Sequence, residues 1–262
     1  MSEGEAGLMR GLKGKIVVTA GGAGGIGTAT SVRLAEEGAS VVVADLDAAA
    51  AQAVAEQIVA AGGSALATGV DIEDEASVEE LFSFATASFG GVDCVHVNAA
   101  DLSRRVGPDT DAVSVDLAVF DHTLAVNLRG HLLVTRAAIP LMLTRGGGSF
   151  AYTSSAASYA GEAERISYGV SKAGVNALMR HVASRWGKEG IRANAVAPGL
   201  VITDTIAAAF DEAMFAGALS QTRGTRLGTP EDAAALFAFL LSDDAGYITG
   251  QVIGLDGGTF LR

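Results

Sequence analysis

The chain has 262 residues, of which 49% are hydrophobic and 18% are charged, and its formal net charge is −12. This length suits one α/β domain, and the hydrophobic content excludes a disordered chain. The acidic balance argues against a protein that tracks nucleic-acid phosphates, because such a protein needs an excess of cations. We therefore expect no nucleic-acid partner.

The single cysteine, Cys94, excludes a disulfide framework and a cysteine-based zinc site. The four histidines, His96, His122, His131 and His181, have no metal-ligand spacing, so we expect no bound metal. The N-terminal segment has no apolar signal region, and no apolar run approaches the roughly 18 residues of a membrane span. These features predict a soluble, cytoplasmic protein with no membrane partner.

Extended and helical patterns alternate along the chain. Short apolar or β-branched runs predict strands at 15–20, 40–45, 65–70, 92–98, 148–154, 191–196 and 251–255. Helical spacing predicts helices at 25–37, 48–61, 74–89, 117–144, 165–189 and 230–241. Such alternation is typical of βαβ units, so we expect an α/β fold: one domain over residues 1–262, with a Rossmann-type, doubly wound parallel sheet of about seven strands and helices on both faces. Residues 204–222 lack a strong register and are the best candidate for a mobile substrate lid.

A glycine-rich turn follows the first predicted strand. It can be interpreted as GxGxxG, with Gly22, Gly24 and Gly27, or as GxxxGxG, with Gly21, Gly25 and Gly27. In both patterns glycines permit close approach of a ligand to the backbone, and the following helix N-terminus offers free N–H groups to a pyrophosphate. Because a strand precedes the turn and a helix follows it, the turn predicts a dinucleotide site.

Asp45 lies at the C-terminal end of the second strand, eighteen residues after Gly27. A carboxylate at this position can accept hydrogen bonds from ribose hydroxyls and repels a 2′-phosphate. No Arg or Lys lies in the glycine turn or directly after Asp45 to attract that phosphate. The pattern favours NAD over NADP; the alternative is a loop aspartate that only caps the next helix.

Polar residues on three predicted elements form a candidate catalytic group. Tyr168 and Lys172 are four residues apart at the start of a predicted helix and so share one face. An ammonium near a phenol favours the phenolate, which predicts a pKa for Tyr168 below its usual value of about 10, as general acid/base catalysis requires. Ser154 and Ser155 end a predicted strand, and Asn127 lies within a predicted helix, where asparagine has poor propensity. Their convergence at the strand ends predicts proton transfer beside a dinucleotide.

These segments together resemble the short-chain dehydrogenase/reductase family over essentially the whole chain. The matching segments are AGGAGGIG, VVVADLD, VDI, VNAA, AVNLRG, TSSAAS, YGVSK, NAVAPGLVIT and the tail RLGTPEDAAALFAFLLSDDAGYITGQVIGLDGG. The resemblance implies an NAD-dependent oxidoreductase that transfers hydride between the nicotinamide and a secondary alcohol or its ketone. It also implies a homotetramer, because the family is usually tetrameric.

The resemblance also implies roles for individual residues. Ser155 would orient the substrate oxygen, Tyr168 would be the acid/base, and Lys172 would hold the nicotinamide ribose and lower the tyrosine pKa. Asn127 would position a water on the proton path. The implied cofactor contacts are the glycine turn with Ile26, Asp45 with Leu46, Asp71 and Ile72 at the adenine, Asn98 with Ala99 at the adenosine ribose, and Pro198, Gly199, Val201 and Thr203 at the carboxamide.

The chain departs from the family pattern at two places. Ala20 stands where the family usually has Thr before the first glycine, with Thr19 one place earlier. The segment Val97-Asn98-Ala99-Ala100 stands where Asn-Asn-Ala-Gly is usual. We expect these changes to remove a hydroxyl and an amide that tie two strand ends together.

Two other functions stay open at this point. One is an NADP-linked ketone reductase, and the other is a non-catalytic NAD-binding sensor or scaffold on the same fold. Because a sensor is expected to lose the tyrosine or the lysine, the presence of all four candidate residues favours the enzyme.

Three groups of residues near the expected cleft have two interpretations each. Arg104 and Arg105 either contact a polar group of the substrate or lie in a solvated loop. Glu162, Glu164 and Arg165 either line the substrate pocket or form part of the surface. The apolar residues Met214, Phe215 and Leu219 either close over an apolar substrate or pack on the body of the domain.

Overall fold

The computed structural model describes residues 9–101 and 106–261. It contains one seven-stranded sheet with the order β3-β2-β1-β4-β5-β6-β7, and every neighbouring pair is parallel. The strands are β1 (Ile16–Ala20), β2 (Ser40–Asp45), β3 (Ser64–Gly69), β4 (Cys94–Val97), β5 (Gly148–Thr153), β6 (Ile191–Pro198) and β7 (Val252–Leu255). The predicted doubly wound parallel sheet is confirmed.

Helices cover both faces of this sheet. They are α1 (Gly25–Glu36), α2 (Ala48–Ala60), α3 (Glu75–Phe89), α4 (Leu117–Leu124), α5 (His131–Thr144), α6 (Ala157–Ala160), α7 (Ile166–Trp186), α8 (Asp204–Ala209), α9 (Glu212–Gln221) and α10 (Pro230–Leu241). Because side chains alternate along a strand, Val17 and Val18 of β1 enter different apolar clusters. The Val18 cluster packs against α3, α5 and α7, and the Val17 cluster packs against α1, α2 and α10.

Two segments differ from the expected secondary structure. The predicted helix at 117–144 is interrupted by a π-helical turn, Ala125–Gly130, between α4 and α5. The predicted lid at 204–222 is not irregular but forms the two short helices α8 and α9, and neither contains a buried residue. Because these helices bury no apolar face, they leave no clear register in the sequence.

The strand order reverses at β1, which pairs with β2 on one side and with β4 on the other. In open α/β sheets, ligands bind beyond the carboxyl ends of the strands at this switch point. The glycine turn, Asn98 and Ser155 all follow strands at this edge. Within the described part of the chain, no helix is both long and apolar enough to cross a bilayer.

Candidate active site

The glycine turn after β1 forms a cradle that leaves no room for a larger side chain at four of its five glycines. Gly21 has φ +85°, and a Cβ there would collide with the backbone of Ala99. A Cβ on Gly27 would collide with the carbonyl oxygen of Gly21, whereas a Cβ on Gly24 would meet nothing within 4 Å. These constraints favour the GxxxGxG interpretation over GxGxxG.

The cradle fits the phosphates of a dinucleotide. Helix α1 begins at Gly25, and its N-cap residue, Gly24, makes no side-chain capping bond. A Cβ on Gly25 would meet the side chain of Thr203, so the turn lies directly against the segment that the resemblance assigns to the carboxamide. An uncapped helix N-terminus beside closely packed glycine backbone is a suitable site for a pyrophosphate.

Asp45 ends β2 and faces this turn. Its Oδ2 accepts a hydrogen bond from the Ala23 N–H at 2.9 Å, and its Oδ1 accepts one from Asp47 N–H at 3.2 Å. The next helix, α2, is capped by Asp47, whose carboxylate accepts from Ala49 and Ala50. The alternative that Asp45 only caps that helix is therefore wrong.

The ends of β1, β4 and β5 are tied together by Asn98. Its Nδ2 donates to the Gly21 carbonyl oxygen at 2.7 Å, and its Oδ1 accepts from Thr153 Oγ1 at 2.8 Å. Asn98 thus supplies an amide tie between strand ends, although Val97 stands where the family usually has a further asparagine. The implied contact of Asn98 with the adenosine ribose stays a prediction.

Three of the candidate catalytic residues come together where β5 leads towards α7. Lys172 Nζ is 5.7 Å from the centroid of the Tyr168 ring, as their shared helix face predicts. The Ser155 hydroxyl lies near the Tyr168 phenol and favours its ionised form. Lys172 is buried, and its Nζ donates to the Thr153 carbonyl oxygen at 2.9 Å. Ser154, by contrast, is buried and donates to the Lys172 carbonyl oxygen, so Ser155 is the serine at the phenol.

The pKa of Tyr168 differs from the expectation. Burial raises the pKa of this phenol above its usual value, and the hydrogen bond from Ser155 and the charge of Arg165 only partly oppose that rise. Burial also lowers the pKa of Lys172 to about 7, so only part of the Lys172 population is protonated near physiological pH. The predicted lowering of the tyrosine pKa is therefore wrong for the protein's own groups, because desolvation outweighs the neighbouring groups that favour the phenolate.

Asn127 lies in the π-helical turn Ala125–Gly130, which explains a poor helix former inside a long helix. Its side chain is buried and is hydrogen-bonded to the backbone of Asp101. Oδ1 accepts from the Asp101 N–H at 2.8 Å, and Nδ2 donates to the Asp101 carbonyl oxygen at 3.4 Å. The implied role of Asn127 in positioning a water on the proton path stays a prediction.

Asp109 is a site residue that the sequence did not indicate. Its carboxylate accepts three hydrogen bonds at the start of α7: from the Ser167 N–H at 3.0 Å, the Ser167 hydroxyl at 2.8 Å and the Tyr168 N–H at 2.9 Å. It therefore caps the catalytic helix from a loop 58 residues earlier in the chain. No local motif could have revealed it, since the capping residue and the helix meet only in the folded chain.

A charged pair lies at the exposed side of the phenol. The Arg165 guanidinium is 5.4 Å from the centroid of the Tyr168 ring, and Arg165 Nη2 is 2.6 Å from Glu162 Oε1. Arg165 has φ +65°, and no other non-glycine residue of the described ranges has a positive φ. Both charges act on the phenol: the cation favours the phenolate, and the carboxylate opposes it. Arg165 and Glu162 thus border the site, whereas Arg104 and Arg105 lie outside the described residues.

The remaining implied cofactor contacts lie along the same edge of the sheet. Leu46 and Asp71 are exposed, whereas the Ile72 side chain is buried in the core against Gly130. Pro198 ends β6, Val201 pairs with Gly228, and Thr203 caps α8 through its hydroxyl. The Gly199 N–H bonds to the Leu255 carbonyl oxygen at 2.9 Å, which fixes this segment against β7. Their contacts with a cofactor stay predictions.

The chain is similar to known oxidoreductases over nearly its full length. A family model described as enoyl-(acyl carrier protein) reductase matches residues 21–259. A probable short-chain type dehydrogenase/reductase of Bradyrhizobium diazoefficiens is 46% identical over 246 residues, covering 94% of this chain and 87% of the relative. The 7alpha-hydroxysteroid dehydrogenase of Bacteroides fragilis is 35% identical over 250 residues, covering 95% and 96%.

A solved structure has the same fold. A 7 alpha-hydroxysteroid dehydrogenase complexed with NADH and 7-oxo glycochenodeoxycholic acid is similar with a TM-score of 0.88 and 32% identity, covering 95% of each chain. Together with the glycine cradle, these relatives identify a nicotinamide-dependent oxidoreductase of the type that acts on hydroxyl groups. The chain belongs to the short-chain dehydrogenase/reductase family.

Proposed function

We propose that the protein is an NAD-dependent dehydrogenase that transfers hydride between a secondary alcohol, or its ketone, and the nicotinamide. The observation that carries this proposal is the convergence of Ser155, Tyr168 and Lys172 beside the glycine cradle. A serine hydroxyl and a phenol at one point can hold the oxygen of a substrate and exchange a proton with it. A sensor that turns nothing over has no need of this arrangement.

The choice of NAD over NADP rests on Asp45. Its carboxylate lies beside the glycine turn through the bond from Ala23, and neither of its two hydrogen bonds involves a cation. A 2′-phosphate brought to this carboxylate would meet a like charge in a partly desolvated cleft. Each carboxylate oxygen retains acceptor capacity for a ribose hydroxyl.

The proton chemistry follows from the positions of the side chains. Bound in the glycine cradle, the nicotinamide cofactor would supply the acceptor for the hydride of the alcohol carbon. Ser155 Oγ donates a hydrogen bond to the substrate oxygen and orients it. The ionised Tyr168 hydroxyl takes the proton of the alcohol, and in the reverse direction the neutral phenol returns it. Lys172, held by the Thr153 carbonyl, is placed to donate to the nicotinamide ribose.

We further propose a substrate with a substantial apolar body, such as a hydroxyl or ketone group on an alicyclic ring. The related hydroxysteroid dehydrogenase acts on a substrate of this class. In this chain Met214 is 49% exposed and Leu219 is 37% exposed, so neither packs fully on the body of the domain. Phe210 and Phe215 pair with ring centroids 5.5 Å apart and extend the apolar surface of α8 and α9.

The protein is also proposed to be a homo-oligomer, with a tetramer expected from the family. Large apolar side chains are exposed on α4, α5 and α7 and near β7: Leu117, Leu132, Val170, Tyr247 and Leu261. Contact with a second copy of the chain would cover such side chains. Light scattering coupled to size exclusion would measure the mass, and a monomer would contradict the proposal.

The enzymatic proposal is tested by measuring NADH formation across a panel of secondary alcohols and NADH consumption across the matching ketones. We expect turnover with at least one alicyclic pair, and lower turnover with NADP than with NAD. Tight NAD binding without turnover of any pair would favour the sensor. Faster reduction of ketones with NADPH would favour the NADP-linked reductase.

A further inference from the structure

Thr153, the last residue of β5, contacts both halves of the proposed site. Its backbone carbonyl oxygen accepts from Lys172 Nζ at 2.9 Å, and its hydroxyl donates to Asn98 Oδ1 at 2.8 Å. Asn98 Nδ2 in turn donates to the Gly21 carbonyl oxygen at 2.7 Å. One buried residue is thereby connected to the catalytic lysine on one side and to the glycine turn on the other.

His96 of β4 completes this chain of hydrogen bonds. Its Nε2 is 3.1 Å from Thr153 Oγ1, and its ring is buried against Phe237 with centroids 4.1 Å apart. Because the Asn98 amide nitrogen donates to Gly21, its oxygen faces Thr153, and the single hydroxyl proton of Thr153 goes to that oxygen. His96 Nε2 must therefore be the donor to Thr153.

The imidazole serves as a fixed donor rather than a titrating group. Burial, with a smaller contribution from His131, lowers the pKa of His96 to about 3, so the ring is neutral at physiological pH. With its proton on Nε2, the ring leaves Nδ1 without a hydrogen-bond partner among the described residues. The donor and the acceptor of every hydrogen bond from His96 through Thr153 and Asn98 to Gly21 are then determined.

We propose that His96 and Thr153 are positioning residues that jointly set the Gly21 carbonyl and the Lys172 ammonium relative to each other. They supply, from β4 and β5, the hydroxyl contact at the strand ends that Ala20 cannot make. The space here is restricted, because a Cβ on Gly27 would collide with the Gly21 carbonyl and approach Asn98 Nδ2. A tilt of the Asn98 amide would therefore displace the glycine turn. This inference rests on dinucleotide binding and not on the choice between NAD and NADP.

The test is a set of substitutions along the chain of hydrogen bonds. Thr153→Val keeps the shape and removes the hydroxyl, which leaves the Asn98 oxygen and the His96 N–H unpaired. We expect the dissociation constants of NADH and of NADPH to rise by the same factor of about ten, which is about 1.4 kcal/mol, because the glycine turn contacts the phosphates common to both. Thr153→Ser should restore both values to within about twofold, since a serine hydroxyl can make the same bonds.

His96 provides a second pair of variants. His96→Leu removes the donor, whereas His96→Gln keeps an N–H, so only the leucine variant should weaken cofactor binding. Ser149→Ala is the matched control, because Ser149 lies at the other end of β5 and its buried hydroxyl donates to the Leu240 carbonyl at 3.1 Å. It should lower thermal stability and leave both dissociation constants unchanged.

Amide hydrogen exchange of residues 20–27 in the protein without cofactor gives a readout independent of activity. Exchange in this segment should accelerate in Thr153→Val and His96→Leu but not in Ser149→Ala. Unchanged exchange and affinity in the folded variants, or an equal loss of affinity in Ser149→Ala, would overturn the proposal. If Thr153→Val does not fold, the two His96 variants make the same comparison. The unmodified protein could bind NADPH more tightly than NADH while each variant raises both dissociation constants by the same factor. That result would overturn only the choice of NAD over NADP.

Discussion

The carboxyl edge of the sheet has two sides that are built differently. The cofactor side consists of the glycine turn and the ends of β1, β4 and β5, and Asn98 and Thr153 join these strands through buried hydrogen bonds. The proposed substrate side consists of residues 106–116 with α8 and α9, and none of these segments contains a buried residue. The proposed chemistry is thus held by long-range contacts, whereas the proposed substrate selectivity depends on exposed side chains.

The largest effect is expected from the buried side of this comparison. Tyr168→Phe removes one hydroxyl and keeps the ring, so we expect turnover to fall by about 10²- to 10⁴-fold while NADH binding and the fold persist. Initial rates with a verified alcohol and a fluorescence titration of NADH measure the two quantities. Tyr152→Phe is the control, because its buried hydroxyl pairs with Thr135 Oγ1 at 2.8 Å in the core. More than a tenth of the original turnover in Tyr168→Phe would show that another group moves the proton.

Asp45 is expected to give the next largest effect. The repulsion between its carboxylate and a 2′-phosphate should favour NAD over NADP by about a hundredfold in affinity, which is about 2.7 kcal/mol. Asp45→Ala should narrow that ratio mainly by weakening NAD, because it also removes the acceptor of the Ala23 N–H. Titration of both cofactors against both proteins measures the ratio. Equal affinity for NAD and NADP in the unmodified protein would contradict the assignment.

Much of the cofactor side could be predicted from the sequence because its features are local. The β-branched run before the glycines, the acid that ends β2 and the four-residue spacing of Tyr168 and Lys172 all lie within short segments. Strand bounds were predicted to within about two residues for the same reason, since a buried parallel strand is a short apolar run. The choice between the two glycine patterns needed the backbone, because the positive φ and close packing of Gly21 and the open space at Gly24 distinguish them.

The features that the sequence did not predict depend on contacts between distant segments. The tie made by Asn98 needed Thr153 beside it, which follows only from the pairing of β4 with β5. The raised pKa of Tyr168 depends on how deeply packing buries the phenol, which no spacing reveals. The helices of the substrate side were missed because they bury no apolar face.

Asp109 lies in the loop at 106–116 and is hydrogen-bonded to the start of α7, which carries Tyr168. A substitution at Asp109 therefore tests whether this loop affects the catalytic tyrosine. Asp109→Ala removes the three hydrogen bonds that hold the first turn of α7. We expect a loss of about 1 kcal/mol in unfolding free energy, together with a fall of about tenfold in kcat as Tyr168 loses its fixed position. Chemical denaturation and steady-state kinetics measure the two effects.

The control for Asp109 is an aspartate cap on a helix other than the one that carries Tyr168. Asp74 caps α3, and its carboxylate accepts from the Ala76 N–H at 3.0 Å. Asp74→Ala should cost a similar unfolding free energy and leave kcat unchanged. An equal fall in kcat in both variants would mean that general stability, rather than the position of Tyr168, explains the effect.

The exposed apolar residues of α9 should affect substrate binding alone. Met214→Ala removes part of the apolar surface beside the site, so we expect the KM of an alicyclic alcohol to rise a few-fold, consistent with about 1 kcal/mol of lost burial. The dissociation constant of NADH should not change. Val59→Ala truncates an exposed apolar side chain of α2 and serves as the control. A KM unaffected by Met214→Ala would place the substrate elsewhere.

The smallest effect is expected from the charged pair beside the phenol, and it has a defined sign. Alcohol oxidation needs the phenolate, so its rate should rise with pH through the ionisation of Tyr168, while ketone reduction should fall over the same interval. Arg165 favours the phenolate and Glu162 opposes it, because each charge acts directly on the phenol.

Arg165→Asn, which keeps a residue that tolerates a positive φ, should move the midpoint of the oxidation profile to higher pH. Glu162→Gln should move it to lower pH, and the double variant should lie near the original value. Because the pair is partly exposed, each shift should be less than about one pH unit and should shrink with added salt. Profiles measured at saturating NAD decide the matter: shifts of the same sign in both single variants would show that the two side chains act by displacing Tyr168 rather than through their charges.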